Sequence, residues 1–305
     1  MNYHFERLTA ENLAMLPEVF KQSYGRAVSL EYLRKKYTNH LNNETKYFGI
    51  LAYEGGQVVG FNGAIPYTLR QGDDLQLAVQ SLDSMVVPIH RKKGLFTTLF
   101  THLQSQLREE DIACIFGLPN QASHNAFFNR LGWQPVHQIK RFHIPIQSKI
   151  LSRVKHLSST LTGNGFKNYF LPTPGKPWFI SNDFVLIERD EAFFDYKQKL
   201  GNSFFIRLCG VKIWLKLQGI YLWIGDMELP ETDAHFKEII HRLQKLSSGA
   251  GVHEIIFQTS PDLPLAQMFA RFYAPQPSWT LGVYNFSSNW NLSKLRITYG
   301  DLDNF

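Results

Sequence analysis

The sequence predicts an α/β fold, a mixed twisted sheet flanked by helices and built in two halves. Three observations predict it. Apolar and polar residues alternate in several short runs, as half-buried strands require. A strand runs through a glycine-containing turn into a long helix over Val86–Phe100, VVPIHRKKGLFTTLF. A helix–strand–helix–strand order then occurs twice, in residues 96–146 and again from His235 to Phe286.

Residues 3–8, YHFERL, alternate as a first strand. Thr9 caps a helix running to about Tyr24, with Leu13, Leu16, Val19 and Phe20 on its apolar face. SLEYLRKKYT, from Ser29, reads as a second helix, amphipathic and near the surface. Residues 47–70 are two strands joined across Glu54-Gly55-Gly56-Gln57, because adjacent glycines supply the positive φ of a tight hairpin. Leu75–Val87 is the next strand and feeds the turn. In the helix that follows, Leu95, Leu99, Leu103 and Leu107 form one buried stripe. Ile112–Gly117 is an apolar strand placed for parallel pairing, Ala122–Leu131 a helix stopped by Gly132, and Trp133–Ile146 an extended segment.

Residues 147–178 are a connector. Ile150, Leu151, Val154, Leu157 and Leu161 mark a basic amphipathic helix that docks on its own protein or lies on a membrane surface. Glycines and prolines then break regular structure. In the second copy the helix stripe is Phe236, Ile239, Ile240 and Leu243, followed by HEIIFQTS, PLAQMFARFY and SWTLGVYNF. WIGDMELPETDA stands where the first copy has its glycine turn. The domains therefore read as 1–146, 147–178 and 179–305.

A hydrophobic content of 44% with 19% charged residues describes a globular chain, and no apolar run approaches a membrane span. MNYHFERL carries charges where a signal peptide needs its apolar region, so a cytoplasmic protein is expected. Cys114 and Cys209 lie in apolar, strand-like stretches and read as reduced core residues. Between Asp111 and Asp183 there is no acidic residue, while Arg130, Lys140, Arg141, Lys149, Arg153, Lys155, Lys167 and Lys176 all fall there. Such a block is a solvated basic face or receives an anionic partner. The histidines show no HExxH and the cysteines no CxxC, so no metal is expected.

The turn at Arg91-Lys92-Lys93-Gly94 carries three cations and meets the start of a helix, where backbone N–H groups and the helix dipole favour a phosphate. Glycine matters there because a side chain would hold the ligand off the backbone. Val86-Val87-Pro88 with Arg91 and Gly94, followed by Gly117–Trp133 (GLPNQASHNAFFNRLGW), resembles the GNAT superfamily of acyl-CoA N-acyltransferases. The likeness is greatest to the branch with Pro-Asn-x-x-Ser ending in Leu-Gly-Trp, and the second copy then looks like a degenerate GNAT-like half that shapes the acceptor site. Phe96 departs from the pattern, which has a small residue at that place.

The resemblance implies a site for acetyl-CoA at Arg91, Lys92, Lys93, Gly94, Leu95, Phe96 and Thr97. It implies a backbone N–H for the oxyanion among Met85, Val86 and Val87, and contacts from Asn120, Ser123 and Phe127. Ser123 reads equally as a helix-start residue. Asp83 lies two residues before Met85 on that strand, so both project from the same face, and Asp83 is the candidate base or substrate anchor. Its alternative is an exposed strand carboxylate or a structural hydrogen-bonding group. Many family members use a tyrosine on the helix where Phe127 and Phe128 stand, so no phenol is available on that helix. His90 and His124 read as surface or capping residues. The C-terminal YGDLDNF places Asp301 and Asp303 in a solvated end, or in a metal- or amine-binding tail.

The expected activity is transfer of an acetyl group from acetyl-CoA to the amine of a small acceptor, phosphorylated or sugar-linked, by a monomer or homodimer. No nucleic-acid or membrane signal is firm. The rival readings are a non-catalytic acyl-CoA-binding module and a polyanion-binding protein with a vestigial loop.

Overall fold

The computed structural model describes residues 2–41, 44–146, 166–172, 179, 181–201 and 203–305. In chain order its strands and helices are β1 (His4–Arg7), α1 (Leu16–Tyr24), α2 (Leu30–Tyr37), β2 (Asn39–Leu41), β3 (Glu44–Lys46), β4 (Phe48–Glu54), β5 (Gln57–Gln71) and β6 (Asp74–Val86). There follow α3 (Leu95–Glu109), β7 (Cys114–Gly117), α4 (Gln121–Asn125), which continues as a π-turn over Ala126–Arg130, and β8 (Gln134–Pro145). The second half holds β9 (Phe170–Leu171), β10 (Val185–Ile187), α5 (Glu191–Leu200), β11 (Ser203–Leu208), β12 (Val211–Gln218) and β13 (Tyr221–Met227). It ends with α6 (Asp233–Gly249), β14 (Glu254–Thr259), α7 (Pro264–Ala270), β15 (Gln276–Asn285) and β16 (Leu295–Arg296). The predicted connector helix lies outside the described residues.

The chain divides into two compact units, Met1–Val136 with Thr280–Lys294, and His137–Trp279 with Leu295–Phe305. The division runs through β8 and β15, where the sequence alone places a boundary at 146.

In the first unit the strands run β1-β4-β5-β6-β7-β15. β6 and β7 are parallel through Ala78–Gln80 and Cys114–Phe116, and the remaining pairs are antiparallel. The hairpin at Gly55 and Gly56 forms as expected, with φ of 57° and 80°. α3 buries Leu95, Leu99, Leu103 and Leu107 against Phe48, Ile50 and Val59. Each such side chain contributes roughly 1.5–3 kcal/mol relative to exposure. Close approach is made possible at Gly60, where a Cβ would come within 2.9 Å of Leu99. α2 is less peripheral than its sequence suggests: Leu33, Lys36 and Tyr37 are all buried.

The second unit runs β8-β14-β13-β12-β11-β9, with β13 and β14 parallel. Phe236, Ile239, Ile240 and Leu243 of α6 are buried on this sheet, so the repeated helix–strand–helix–strand order is real as local structure. Cys209 is not a core strand residue: it sits in the β11–β12 turn at φ 50°, half-buried, while Cys114 is buried in β7. The C-terminus is part of this core. Phe305 is fully buried, with its ring 4.8 Å from that of Trp214. Asp301 is 2% exposed and binds Arg189 through both carboxylate oxygens, so it is not a solvated or metal-binding tail residue. Among the described residues no His, Cys, Asp and Glu side chains group as a metal site, and no helix is long and apolar enough to cross a membrane.

Candidate active site

The site forms in the first unit, where a bulge interrupts the pairing of β6 with β5 and its pairing with β7 ends. Phe61 of β5 faces Met85, but Gly63 faces Leu82, so Asp83 and Ser84 together oppose Asn62. This is a β-bulge, with Asp83 at φ 48° and Ser84 Oγ donating to Asn62 Oδ1 at 2.8 Å. The bulge interrupts the alternation on which a shared face for Asp83 and Met85 depends. On the other side, pairing with β7 ends at Gln80 and Phe116. Beyond that point the strands part around a cavity of about 130 Å³, lined by Ser81–Ser84 on one strand and Gly117–Asn120 after the other.

Backbone alternation assigns the groups along this free edge. Val87 N–H donates to Val59 O at 2.9 Å. In an antiparallel ladder the next residue back, Val86, then turns its N–H and C=O away from β5. Arg91 supports that geometry: its Nε donates to Val86 O and its Nη2 to Ser23 O at the end of α1, both at 2.9 Å. Val86 therefore offers an N–H on the cleft side, and Val87 does not.

The loop passes through Lys92 at φ 61° and Gly94 at φ 80°, and α3 starts at Gly94 with no side-chain cap and no acid in its first turn. A Cβ built on Gly94 meets nothing within 4 Å. Glycine is thus required by backbone angle and by the space left beside it, not by packing of the protein. A cleft of about 610 Å³ opens there, with Arg91, Lys92 and Arg130 among its walls. Met85, Val86, Leu95, Phe96, Thr97, Asn120 and Ser123 line it as well; Val87 and Lys93 do not. Phe96 packs edge-on against Phe127, 5.5 Å between centroids, and Phe127 lines the smaller cavity.

Asn120 caps α4. Its Oδ1 accepts from Ser123 N at 3.0 Å and from Ser123 Oγ at 3.2 Å. His90 is buried rather than on the surface, with Tyr3 OH 3.2 Å from its Nδ1. His124 packs on the Phe128 ring at 4.6 Å. Asp83 lines the smaller cavity, its side chain 10% exposed. Lys36 Nζ and Tyr37 OH both donate to its Oδ2 at 2.7 Å, and Oδ1 has no partner among the described residues.

Sequence reasoning missed Tyr24. This last residue of α1 lines both cavities, and its hydroxyl donates to Ser84 O at 3.0 Å. Tyr24 as a whole is 46% exposed, yet desolvation at its phenol, followed by the nearby Asp83 carboxylate, pushes its pKa up to about 12. The only local signal was its position just before the helix-ending Gly25.

An uncapped helix start beside a cationic cleft, fed by a strand with an unpaired edge, forms a candidate anion-binding site. Residues 4–136 match the acetyltransferase (GNAT) domain family. The fold is similar to that of a GCN5-related N-acetyltransferase from Kribbella flavida, at 11% identity and TM-score 0.57, covering 94% of this chain and 71% of that one. A GCN5-related N-acetyltransferase from Anabaena variabilis ATCC 29413 gives 13% identity and TM-score 0.58, with coverage of 92% and 72%. No curated protein matches the sequence.

Proposed function

We propose that the chain transfers an acetyl group from acetyl-CoA to the amine of a small acceptor. One observation carries this: the open space at Gly94, at an uncapped helix start, lies in a cationic cleft that leads along the Ser84–Val86 edge. The residues fit the donor. Backbone N–H groups at the start of α3, with Lys92 and Arg130, suit a pyrophosphate, while Arg91 braces the loop.

In this reading the acceptor ammonium loses a proton to Asp83 Oδ1, the oxygen that Lys36 and Tyr37 leave open. The amine nitrogen attacks the thioester carbonyl, and the oxyanion accepts from Val86 N–H. The C–S bond breaks, the thiolate leaves, and the second amine proton passes to solvent. The basic interval from Arg130 onward favours a phosphorylated or nucleotide-linked amine, such as an amino sugar. Acetylation of such compounds should outpace that of simple amines.

The test is calorimetric titration of acetyl-CoA into the wild type and Gly94→Glu. Expected is binding that the substitution weakens at least about 100-fold, since a carboxylate then occupies the phosphate space. Absence of binding to the wild type overturns the reading.

A further inference from the structure

The residues common to both cavities are Tyr24, Ser84, Asn120 and Ser123, which makes this ring the passage from cleft to chamber. A thioester entering from the Gly94 side places its reacting carbon and sulfur there. The step gains from a donor to the sulfur as the C–S bond breaks, because a hydrogen bond placed where charge develops stabilises the departing thiolate.

Three side-chain hydroxyls surround the passage. Ser84 Oγ is turned onto Asn62 Oδ1 at 2.8 Å, and Ser123 Oγ lies 3.2 Å from Asn120 Oδ1 inside the α4 cap. Tyr24 alone bonds to a main-chain carbonyl on the free strand edge, Ser84 O, two residues before the Val86 N–H. Its position is fixed from several sides. Arg91 ties the carbonyl of the preceding Ser23 to the loop, Phe20 packs on the ring at 6.0 Å, and the Arg26 guanidinium lies 5.6 Å from the ring centre.

We infer that Tyr24 is a catalytic residue supplied by α1, whose O–H turns from the Ser84 carbonyl to the departing sulfur and donates a hydrogen bond to the thiolate. It does so without giving up its proton. Asp83, Arg26, Lys36 and Arg91 are the charged groups around the phenol, and the balance of burial and Asp83 keeps it protonated to about pH 12. A thiol titrates near 8.5, so full transfer would run uphill by about three pH units. The electron pair of the C–S bond stays on sulfur, the Tyr24 O–H bond remains intact, and the sulfur gains its proton later from solvent.

This inference rests on the acyl-CoA reading, and its test needs no acceptor. CoA is titrated into the wild type and Tyr24→Phe by calorimetry, and the thiolate ultraviolet absorbance of the bound CoA is then followed against pH. Failure of CoA to bind the wild type sinks the acyl-CoA reading and this inference with it. With binding intact, the wild type should hold the bound thiol about one pH unit below its free value, and Tyr24→Phe should return it. A bound thiol with the same pKa in both proteins overturns the role of Tyr24 while leaving CoA binding in place.

A second measurement uses desulfo-CoA on the same two proteins above the thiol's pKa. The wild type should prefer CoA by about tenfold and the variant should not, one pKa unit being a factor of ten. Equal preference in both proteins counts against the inference. A merely structural tyrosine would shift melting or overall affinity, and neither of these differences.

Discussion

The two units share a strand–loop–helix junction and treat it in opposite ways. β6 leads to α3 and β13 to α6, and each strand pairs in parallel with the strand that follows its helix. α3 begins at Gly94 with its first N–H groups uncapped by any side chain, among outward cations. α6 begins at Thr232, whose Oγ1 accepts from His235 N at 3.1 Å, and Asp233 in its first turn pairs with Arg271 at 2.6 Å. Every helix leaves four N–H groups and a partial positive charge at its start. The second unit answers them with a side-chain cap and an acid in the first turn; the first has neither at α3. Other cations follow the same division. In the second unit Arg189 is buried against Asp226, Asp301 and Thr298, and Lys197 donates to Leu302 O.

Breaking the inward network should have the largest effect. Arg189→Met leaves Asp226 and Asp301 buried without their cation, and burial already raises the Asp226 pKa. Loss of one partner in such a site costs about 3–5 kcal/mol, read as a lower urea midpoint. Adding Asp301→Asn should recover part of it; no recovery would mean that the arginine acts by packing alone.

Among the described residues the first unit has one comparable buried pair, and it sharpens the contrast. Lys36→Met removes the ammonium from Asp83, whose side chain is 10% exposed, and should cost about 3 kcal/mol. CoA affinity should change little, because the cofactor cleft and this pair have no residue in common. A large loss of CoA binding would mean that the bulge positions the Ser84–Val86 edge through Lys36.

Lys197 offers a pH reading of the inward design. Burial lowers its pKa to about 7, from about 10.4 in an unfolded chain. Between those values the unfolded state holds the proton and the folded state does not, so stability rises with pH, by up to about 1.4 kcal/mol per unit. Below pH 7 both states are protonated and the slope from this group vanishes. Lys197→Met should flatten the rise in chemical denaturation between pH 7 and 10, and an unchanged slope would exclude the lysine as its source.

Much of the fold was legible because its signals are local. The four-leucine stripe of α3 and the Gly55–Gly56 turn each follow from a few adjacent residues. The site was legible only where the same held. Gly94 and the start of α3 could be found, but the bulge at Asp83 depends on register with Asn62, which no periodicity encodes. Arg91 illustrates the limit. Its charge marks an anion site, yet its donors are bound to the carbonyls of Val86 and Ser23. Tyr24 was invisible because it is 60 residues from Ser84 in sequence. Cys209 misled because LCGVKIWL reads as one strand, although its Gly210, at φ 84°, turns the chain.

The smallest effect tests the comparison most directly, by altering the second junction. Thr232→Ala removes the side-chain acceptor at the start of α6 and should cost about 1 kcal/mol, seen as a small fall in melting temperature. Opening this cap does not make an anion site. Asp233 remains in the first turn, and the partial positive charge it offsets is what would attract a phosphate. Calorimetry should therefore show one CoA site, with affinity within about twofold of wild type. A second site appearing in Thr232→Ala would mean that the cap alone separates the two junctions. Its absence assigns the difference to the glycine backbone and open space at Gly94, which no single substitution in α6 supplies.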